Sequence, residues 1–405
     1  MTVPPARSAI VLGGGIVGLS IASALQERGV AVRVLDAPGE RPPASWGNAG
    51  HVATEQYEPL ASWQTVRSLP RRLMTFGGPV SLPPSAIGAW MPFGWRLLRA
   101  AEPANFKRGL QALRSLTVEA MPAWRRMAAR IGAADLLREG GHIVTWESTV
   151  GARRGRAALR GFESPAVRWR DLDAADTALL TGALKRPPID GVRFEGTGSV
   201  ADPGAVLEAL RAAIMREGGS IESRAATLDE ARRMGADVVV IAAGVRSAAL
   251  MREAGSPAPL IAERGYHIQS EETRWPEVLP PVVFDERAVV TTRFRSGLRA
   301  TSFVEFSRAD APPDARKWEV LKRHAAELGL PFDSPPKTWF GSRPTLPDYL
   351  PAIGRIGNDP RVLYAFGHQH LGLTLGPITG EIVAALARGD LAPVGTAPFA
   401  IERFG

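Results

Sequence analysis

Three glycines and one acid near the N-terminus have the spacing of a dinucleotide-binding turn. Gly13, Gly15 and Gly18 form the pattern G-x-G-x-x-G, and Asp36 follows eighteen residues after the last of them. The first glycine permits a tight turn, the second leaves room for a pyrophosphate, and the third lets a helix pack close to a strand. A helix start supplies free backbone amides, and the acid accepts a hydrogen bond from a ribose hydroxyl. These residues predict a site for a dinucleotide whose ribose carries no 2′-phosphate.

The elements that would position this turn are present on both sides of it. An apolar run, Ser8–Leu12, precedes the glycines, an apolar-periodic segment follows them, and a second apolar run, Val30–Leu35, ends at the acid. This order predicts strand, turn, helix and strand. A secretory signal is the competing interpretation because Arg7 precedes an apolar segment, but three adjacent glycines and a polar turn before Val30 disfavour it.

Composition limits the remaining functions. The 405 residues are 45% hydrophobic, enough for a sizeable core in two or three structural units. The net charge is +8 and the pI about 10.3, but the basic residues are scattered, which favours a solvated basic surface over a nucleic-acid site. No cysteine is present, which excludes disulfides, thiolate metal sites and a cysteinyl flavin link. We see no apolar stretch of spanning length and expect a cytoplasmic protein with at most peripheral membrane contact.

Further strand and helix signals are separated along the chain. Asp237–Ile241 predicts a buried strand, and Pro203–Glu217 predicts a helix with Asp202 as its N-cap. Val362–Phe366 predicts another strand, followed by a turn and a helix ending at Arg388. The parallel sheet is therefore expected to come from three separated pieces. Aromatic and arginine-rich helices at 57–135, and antiparallel strands at 281–308, are expected to form a second unit.

Five blocks of the sequence occur together: residues 13–18 with Asp36, 45–51 (SWGNAGH), 264–267 (RGYH), 341–348 (GSRPTLPD), and 367–374 (GHQHLGLT) with Gly380. Through these blocks, which are in family order, nearly the whole sequence resembles the D-amino-acid oxidase/dehydrogenase family of FAD-dependent oxidoreductases, especially its bacterial D-amino-acid dehydrogenase branch. Asp36 departs from the pattern, because many members have glutamate there. The resemblance implies FAD rather than NAD, held without a covalent bond, although the sequence leaves a histidyl link open.

The resemblance also implies the fold and its division. We expect an α/β plus α+β architecture, in which a Rossmann-like FAD-binding domain of glutathione-reductase type is interleaved with a substrate domain of mixed antiparallel sheet and helices. The FAD-binding domain is expected to comprise residues 1–56, 191–262 and 340–405. The substrate or cap domain is expected to comprise residues 57–190 and 263–339.

The expected cofactor contacts come from six places in the chain. Small residues at 47–50 would let the backbone approach the flavin ring, with Asn48 at its polar edge. Residues 371–374 precede a helix, whose free amides and positive dipole end would stabilise the reduced ring. The cofactor-binding residues are Gly13, Gly15, Ile16, Val17, Gly18, Asp36, Ala37, Ser45, Gly47, Asn48, Ala49, Gly50, Ala243, Gly244, Gly341, Leu371, Gly372, Leu373 and Thr374.

Arg343 is the first choice for binding a substrate carboxylate. Its place in G-x-R-P resembles the family's carboxylate clamp, and a guanidinium can form two parallel charge-assisted hydrogen bonds. Tyr266 is expected to add a hydroxyl donor, and His51, His267 and His370 are expected to line the substrate site, with core packing as the alternative for each. No metal is expected, because no HxxxH pair with supporting carboxylates occurs.

The implied reaction is hydride transfer from the Cα of a D-amino acid to flavin N5, giving an imine and then a 2-oxo acid. No side chain is assigned as a catalytic base, because positioning and a neutral amine suffice. D-Proline or hydroxy-D-proline is the narrower expectation, and a quinone or other carrier is the expected electron acceptor. The alternatives are a glycine or sarcosine oxidase-like enzyme, and a peripheral membrane flavoprotein without amino-acid turnover.

Overall fold

The computed structural model describes residues 4–405. The strands in this part of the chain are β1 Ser8–Leu12, β2 Ala31–Asp36, β3 His51–Val52, β4 Val80–Ser81, β5 Leu137–Arg138, β6 His142–Trp146, β7 Arg168–Asp171, β8 Asp190–Glu195, β9 Gly198–Val200, β10 Ser220–Ser223, β11 Val238–Ile241, β12 Ile261–Ser270, β13 Val282–Phe284, β14 Val289–Phe294, β15 Gly297–Ser307, β16 Lys337–Thr345, β17 Ala352–Ile356 and β18 Asp359–Phe366. The α-helices are α1 Ile16–Glu27, α2 Trp63–Arg72, α3 Ile87–Ala100, α4 Pro103–Arg130, α5 Thr149–Leu159, α6 Ala174–Ala183, α7 Pro203–Arg216, α8 Leu228–Arg233, α9 Ser247–Glu253, α10 Arg316–Leu328 and α11 Gly372–Arg388.

A six-stranded sheet carries the glycine turn. Its order is β10-β2-β1-β11-β18-β17, and every neighbouring pair is parallel except β17 with β18. Strand β11 is buried along its whole length, as expected of a parallel strand whose faces are both covered. The strands come from residues 8–36, 220–241 and 352–366, which are three separated pieces of the chain.

Two helices run side by side from the same edge of this sheet. Helix α1 follows β1 and helix α11 follows β18, so both begin where parallel strands end. Their backbones approach closely at Gly380, where a Cβ would lie 2.6 Å from the Ser20 carbonyl oxygen. By length and composition, the segment Gln369–Arg388 is long and apolar enough to cross a membrane, contrary to the expectation that no stretch of spanning length occurs. The most apolar part of this segment is 78% buried. It is therefore a core helix, packed against α1 and the sheet.

The larger sheet has the order β16-β12-β15-β14-β13-β6-β8-β7, with β4 joining the edge of β15. Its pairs are antiparallel except β13 with β6 and β15 with β4. The α/β plus α+β fold class is confirmed by this second, mixed sheet. Two predicted domain boundaries need correction, because residue 191 lies inside β8 and residue 340 inside β16, and both strands pair within this sheet.

Candidate active site

One cavity of about 2000 Å³ connects the two sheets. On the side of the six-stranded sheet it is lined by Gly13 and Asp36, and on the side of the larger sheet by Glu263 and Arg343. Residues predicted for the cofactor and residues predicted for the substrate therefore share one space.

The glycine turn has the geometry that its spacing predicts. Gly13 has φ +120°, and a Cβ there would overlap the carbonyl oxygen of Ala242, the residue after β11. A Cβ on Gly18 would overlap the Gly13 carbonyl oxygen, so Gly18 supports the turn from beneath and does not line the cavity. Gly15 is the N-cap of α1 and has no side-chain cap, which leaves the positive end of that helix open toward the cavity.

Asp36 is fixed by the turn it follows. Its Oδ1 accepts a hydrogen bond of 2.9 Å from the Gly14 amide, and its side chain is 36% exposed. Arg211 on α7 lies 3.6 Å from Oδ2 and donates to the Gly14 carbonyl oxygen at 3.1 Å. Sequence reasoning missed Arg211 because a helix some 200 residues away brings it to the turn. Asp36 and the neighbouring Ala37 both line the cavity.

The segment Ser45–Gly50 forms the wall between the two ends of the cavity. Ser45 Oγ accepts from the Ile16 amide at 3.0 Å, which joins this segment to the start of α1. Asn48 Oδ1 accepts from the Gly50 amide at 2.7 Å, so part of the expected polar contact is used locally. Asn48 and Ala49 line the cavity, whereas Gly50 does not.

A buried arginine that the sequence did not single out anchors this wall. Arg299 on β15 donates to the carbonyl oxygens of Trp46 at 2.8 Å and Asn48 at 2.6 Å. Its guanidinium lies 4.9 Å from the Trp46 ring centroid and 4.7 Å from that of Phe294. Burial lowers the pKa of Arg299 to about 9. Arg299 therefore acts as a structural clamp under the wall.

His267 lies behind the same wall and outside the cavity. Its Nδ1 is 3.1 Å from the Gly47 carbonyl oxygen, and its ring stacks on Trp339 with centroids 4.8 Å apart. Burial lowers the pKa of His267 well below its usual value. The expectation that His267 touches the substrate is wrong on geometric grounds; it supports Gly47, which does line the cavity together with Gly341.

Helix α11 begins earlier than expected. It starts at Gly372, with Leu371 as an N-cap that has no side-chain hydrogen bond, so residues 372–374 form its first turn instead of preceding it. Gly372 and Leu373 line the cavity. Leu371 is buried, and Thr374 Oγ1 accepts from the Ala53 amide at 2.9 Å, so these two side chains position the turn from behind.

These features fit an extended FAD. The glycine turn and Asp36 would hold the pyrophosphate and ribose, and Ala243 and Gly244 line the same end. The wall at 47–49 and the open start of α11 would meet the flavin ring. A side chain at Gly13 would overlap the Ala242 carbonyl oxygen, so glycine is needed there for the tight turn on which the pyrophosphate site depends.

Arg343 on β16 is held in place by its neighbours on the larger sheet. Its Nη1 donates to Glu263 Oε1 at 3.3 Å and to the Phe303 carbonyl oxygen at 3.2 Å. Glu263 is buried and also accepts from the hydroxyls of Thr345 and Tyr349, at 3.2 and 3.1 Å. The Arg343 side chain is 21% exposed and lines the cavity. Its guanidinium is therefore held in one orientation and can still be reached by a molecule in the cavity.

Gly265 makes room for this guanidinium, since a Cβ there would overlap Arg343 Nη2. We expect Gly265→Ala to displace Arg343 and raise KM for a carboxylate substrate about tenfold, which corresponds to about 1.4 kcal/mol. FAD content should not change, because Gly265 lies on the larger sheet away from the glycine turn. Steady-state kinetics with the flavin absorbance of the purified variant checks this, and an unchanged KM would show that Arg343 keeps its position.

Strained backbone gathers around the same end of the cavity. The non-glycine residues with positive φ among those described are Ala288, Phe303, Tyr349 and Gln369, with φ between +48° and +70°. Phe303 supplies a carbonyl oxygen to Arg343, and the Gln369 side chain donates to the Tyr349 carbonyl oxygen. Such conformations persist where surrounding contacts enforce them, often at functional sites. The strained residues therefore belong to the contacts that hold the groups at this end of the cavity in place.

Tyr266 points away from the cavity. Its hydroxyl donates to Glu305 at 2.9 Å and accepts from the Asp314 amide at 3.2 Å, and the residue is fully buried. Successive side chains on a strand face opposite sides, so Gly265 and Tyr266 of β12 cannot both face the cavity. The expectation that Tyr266 binds the substrate carboxylate is therefore corrected. Glu263, two residues before Gly265, is the β12 side chain that supports this site.

Two of the predicted histidines do line the cavity. Burial lowers the pKa of His51 to about 4. Burial also lowers the pKa of His370 to about 3, and the nearby Arg343 and His51 contribute to that shift. Both imidazoles are therefore neutral at pH 7. His368 also lines the cavity and pairs its Nε2 with Thr379 Oγ1 at 2.9 Å.

Comparison with known proteins identifies the family of the chain. The model of the FAD dependent oxidoreductase (DAO) family matches residues 8–386. The chain belongs to this family. A D-amino-acid oxidase of Bradyrhizobium diazoefficiens is 31% identical, over 99% of this chain and 100% of that protein. A D-amino acid dehydrogenase of Ralstonia nicotianae is 27% identical, over 97% of this chain and 99% of that protein.

The fold of this FAD-dependent oxidoreductase is also found among solved structures. An iminodiacetate oxidase from Chelativorans sp. BNC1 superposes with a TM-score of 0.71 at 18% identity, covering 97% of this chain and 98% of that chain. The expectation of FAD rather than NAD is confirmed by the family match. The enzyme class, an oxidoreductase with a flavin cofactor, is likewise confirmed.

Proposed function

We propose that this FAD-dependent oxidoreductase oxidatively deaminates D-amino acids. Arg343, oriented by Glu263 in the same cavity as the glycine turn, is the observation that carries the proposal. It would bind the α-carboxylate and place the Cα hydrogen toward the flavin ring. FAD, when bound, accepts the hydride. The resulting imine is hydrolysed to a 2-oxo acid and ammonia.

The chain's own residues would bind the substrate, orient it and balance its charge. A substrate carboxylate is drawn to Arg343 by charge and by two parallel hydrogen bonds. The neutral imidazoles of His51 and His370 present no positive charge to the substrate nitrogen. Since both have low pKa values, they are poor proton acceptors, and the amine would lose its proton before hydride transfer. Positioning then supplies most of the catalysis.

The test is anaerobic mixing of the FAD-loaded enzyme with a panel of D- and L-amino acids, glycine and sarcosine. Bleaching of the flavin absorbance by D-isomers supports the proposal. Bleaching by L-isomers alone would overturn the D-specific assignment, and bleaching by glycine or sarcosine alone would favour a glycine or sarcosine oxidase-like enzyme. A flavoprotein that none of them bleaches would be one without amino-acid turnover.

Within D-amino acids we infer a preference for D-proline or hydroxy-D-proline. The inference rests on the resemblance of residues 45–51, 55–60 and 367–372 to enzymes that act on these substrates. The ring amine of proline would give a cyclic imine, so the product can persist without hydrolysis. Comparing kcat/KM for D-proline with that for D-alanine tests the preference, and a higher value for D-alanine would remove it.

We also propose that the enzyme passes electrons to a membrane quinone or similar carrier through peripheral contact. Ile87, Met91 and Trp95 recur every four residues on α3 and are 47%, 54% and 63% exposed. They form an apolar stripe on one face of this helix, and Arg96 and Arg99 follow at its end. Exposed apolar side chains beside cationic ones are typical of helices that lie at an anionic lipid surface.

We expect Trp95→Glu to reduce binding to vesicles that contain anionic lipid by about tenfold or more, because an aromatic anchor is replaced by a charge that the lipid repels. Co-sedimentation with such vesicles measures this. Val150→Glu, at an equally exposed apolar position on α5, is the matched control and should leave binding unchanged. Equal binding of Trp95→Glu and the wild type would contradict the role of the stripe.

A further inference from the structure

Three side chains from two distant segments of the sequence meet beside the substrate end of the cavity. His51 lies on β3, Glu55 lies in the loop after it, and His142 begins β6. His51 Nε2 is 3.6 Å from Glu55 Oε2, and His142 Nε2 is 3.9 Å from Glu55 Oε1. One ligand-type atom from each residue lies within 4.8 Å of the others. The Glu55 carboxylate therefore bridges two imidazole nitrogens without a direct hydrogen bond to either.

Two of these atoms have no partner within the part of the chain that the structure describes. His51 Nε2 and Glu55 Oε2 are buried and make no hydrogen bond, and their side chains are only 8% and 10% exposed. Buried polar atoms are nearly always paired, and leaving one unpaired costs about 1–3 kcal/mol. Two facing lone-pair donors would both be satisfied by a cation placed between them.

The third side chain is oriented as a ligand would be. His142 Nδ1 is 3.0 Å from Thr197 Oγ1, and the ring stacks on Phe194 with centroids 4.6 Å apart and an interplanar angle of 6°. These contacts direct Nε2 toward Glu55. Metal-ligating histidines usually use their second ring nitrogen in such a hydrogen bond, which fixes the tautomer and the ring orientation.

We propose that His51, Glu55 and His142 form a binding site for a divalent transition-metal ion, with Zn²⁺ as the first candidate. Two imidazoles and one carboxylate suit zinc, whereas Mg²⁺ and Ca²⁺ prefer all-oxygen sites. Tetrahedral ligands at about 2.0–2.2 Å from zinc stand about 3.3–3.6 Å apart. The contacts of 3.6 and 3.9 Å run to different Glu55 oxygens, and one ligand atom from each residue lies within 4.8 Å of the other two. Small side-chain shifts would complete the site.

The fourth position would open into the cavity. His51 and Glu55 both line it, so the remaining ligand would be water or a polar group of a molecule in the cavity. The site revises the expectation that no metal binds, which rested on the HxxxH pattern alone. The signal in the sequence is the spacing H-x-x-x-E at 51 and 55, but the second histidine comes from another sheet. The proposal does not depend on which amino acid the enzyme oxidises.

Metal binding to the FAD-loaded enzyme, without substrate and without a histidine tag, tests the proposal. The protein is stripped with chelator, titrated with Zn²⁺, dialysed and analysed for zinc and FAD. The expected result is one tightly bound zinc per chain and a rise in the unfolding temperature. Glu55→Gln and His142→Asn should each weaken zinc binding by about 100-fold. If Glu55 and the two histidines share a proton and bind no metal, no zinc will be found, and that result would overturn the proposal.

Two further variants keep the test decisive. His324→Asn removes a histidine that lies 3.9 Å from Glu327, away from the cavity, and should leave zinc binding unchanged. Thr197→Val removes only the hydrogen bond to His142 and is nearly isosteric, so it should fold and weaken binding about tenfold. If Thr197→Val, Glu55→Gln and the wild type bound zinc with equal affinity, these residues would not form the zinc site. This result can be obtained whether or not the enzyme turns over amino acids.

Discussion

Arg343→Met is expected to lower kcat/KM for a D-amino acid by about 100-fold, mainly through KM, while bound FAD is retained. The lost interaction is a pair of charge-assisted hydrogen bonds to the α-carboxylate, for which about 3 kcal/mol is a reasonable total. Glu263 keeps its hydroxyl donors from Thr345 and Tyr349, so the site should remain folded. Steady-state kinetics, together with the ratio of flavin to protein absorbance, measures both effects.

Arg343→Lys is the matched control for charge. Lysine keeps the positive charge but cannot form the two parallel hydrogen bonds, so KM should lie between those of the wild type and Arg343→Met. If KM is unchanged in Arg343→Met, another group binds the carboxylate. If FAD is lost instead, the ion pair of Arg343 with the buried Glu263 is needed to keep the cofactor site folded.

Gly13→Ala is expected to abolish FAD retention and give a colourless protein. The new Cβ would overlap the Ala242 carbonyl oxygen, and φ of +120° is unfavourable for any L-residue with a side chain. The turn would have to open, which would move the amides that hold the pyrophosphate. Flavin absorbance after purification, followed by titration with FAD, measures the loss; retention of stoichiometric FAD would contradict the assignment of this turn.

Gly29→Ala separates this effect from general strain. Gly29 also has positive φ, +74°, but a Cβ there meets no atom within 4 Å. The substitution should cost about 1 kcal/mol of folding free energy and leave FAD content unchanged. If both variants lost FAD equally, backbone strain and not the cofactor site would explain the result.

The glycine turn at the cofactor end of the cavity was predictable because its residues are close in sequence. The glycines, Asp36 and the strands around them belong to one strand–helix–strand unit, so their spacing alone sets their geometry. The N-cap of α7 at Asp202 is another local case: its carboxylate accepts from the Gly204 amide at 2.8 Å, and the predicted helix is confirmed. Helix α11 was placed a few residues late, because Gly372 and the residues after it look like a turn in sequence.

The substrate end was predictable only in part. Arg343 was named from a motif, but the motif does not show that Glu263 orients it or that Gly265 makes room for it. Tyr266 and His267 were misplaced because neither the alternation of strand faces nor the neighbours of β12 can be seen in a four-residue motif. The boundaries at 191 and 340 failed for a similar reason, since pairing with distant strands decides which sheet β8 and β16 join.

The sequence by itself therefore determined the fold class, the flavin cofactor, the glycine turn and the arginine at the other end of the cavity. The tertiary structure alone decided which side chains reach the cavity, that Arg299 anchors its wall, and that His51, Glu55 and His142 meet. The physical reason is the range of the contacts. Local backbone geometry follows from neighbouring residues, whereas a site between two sheets depends on pairing and packing between segments that lie far apart in the chain.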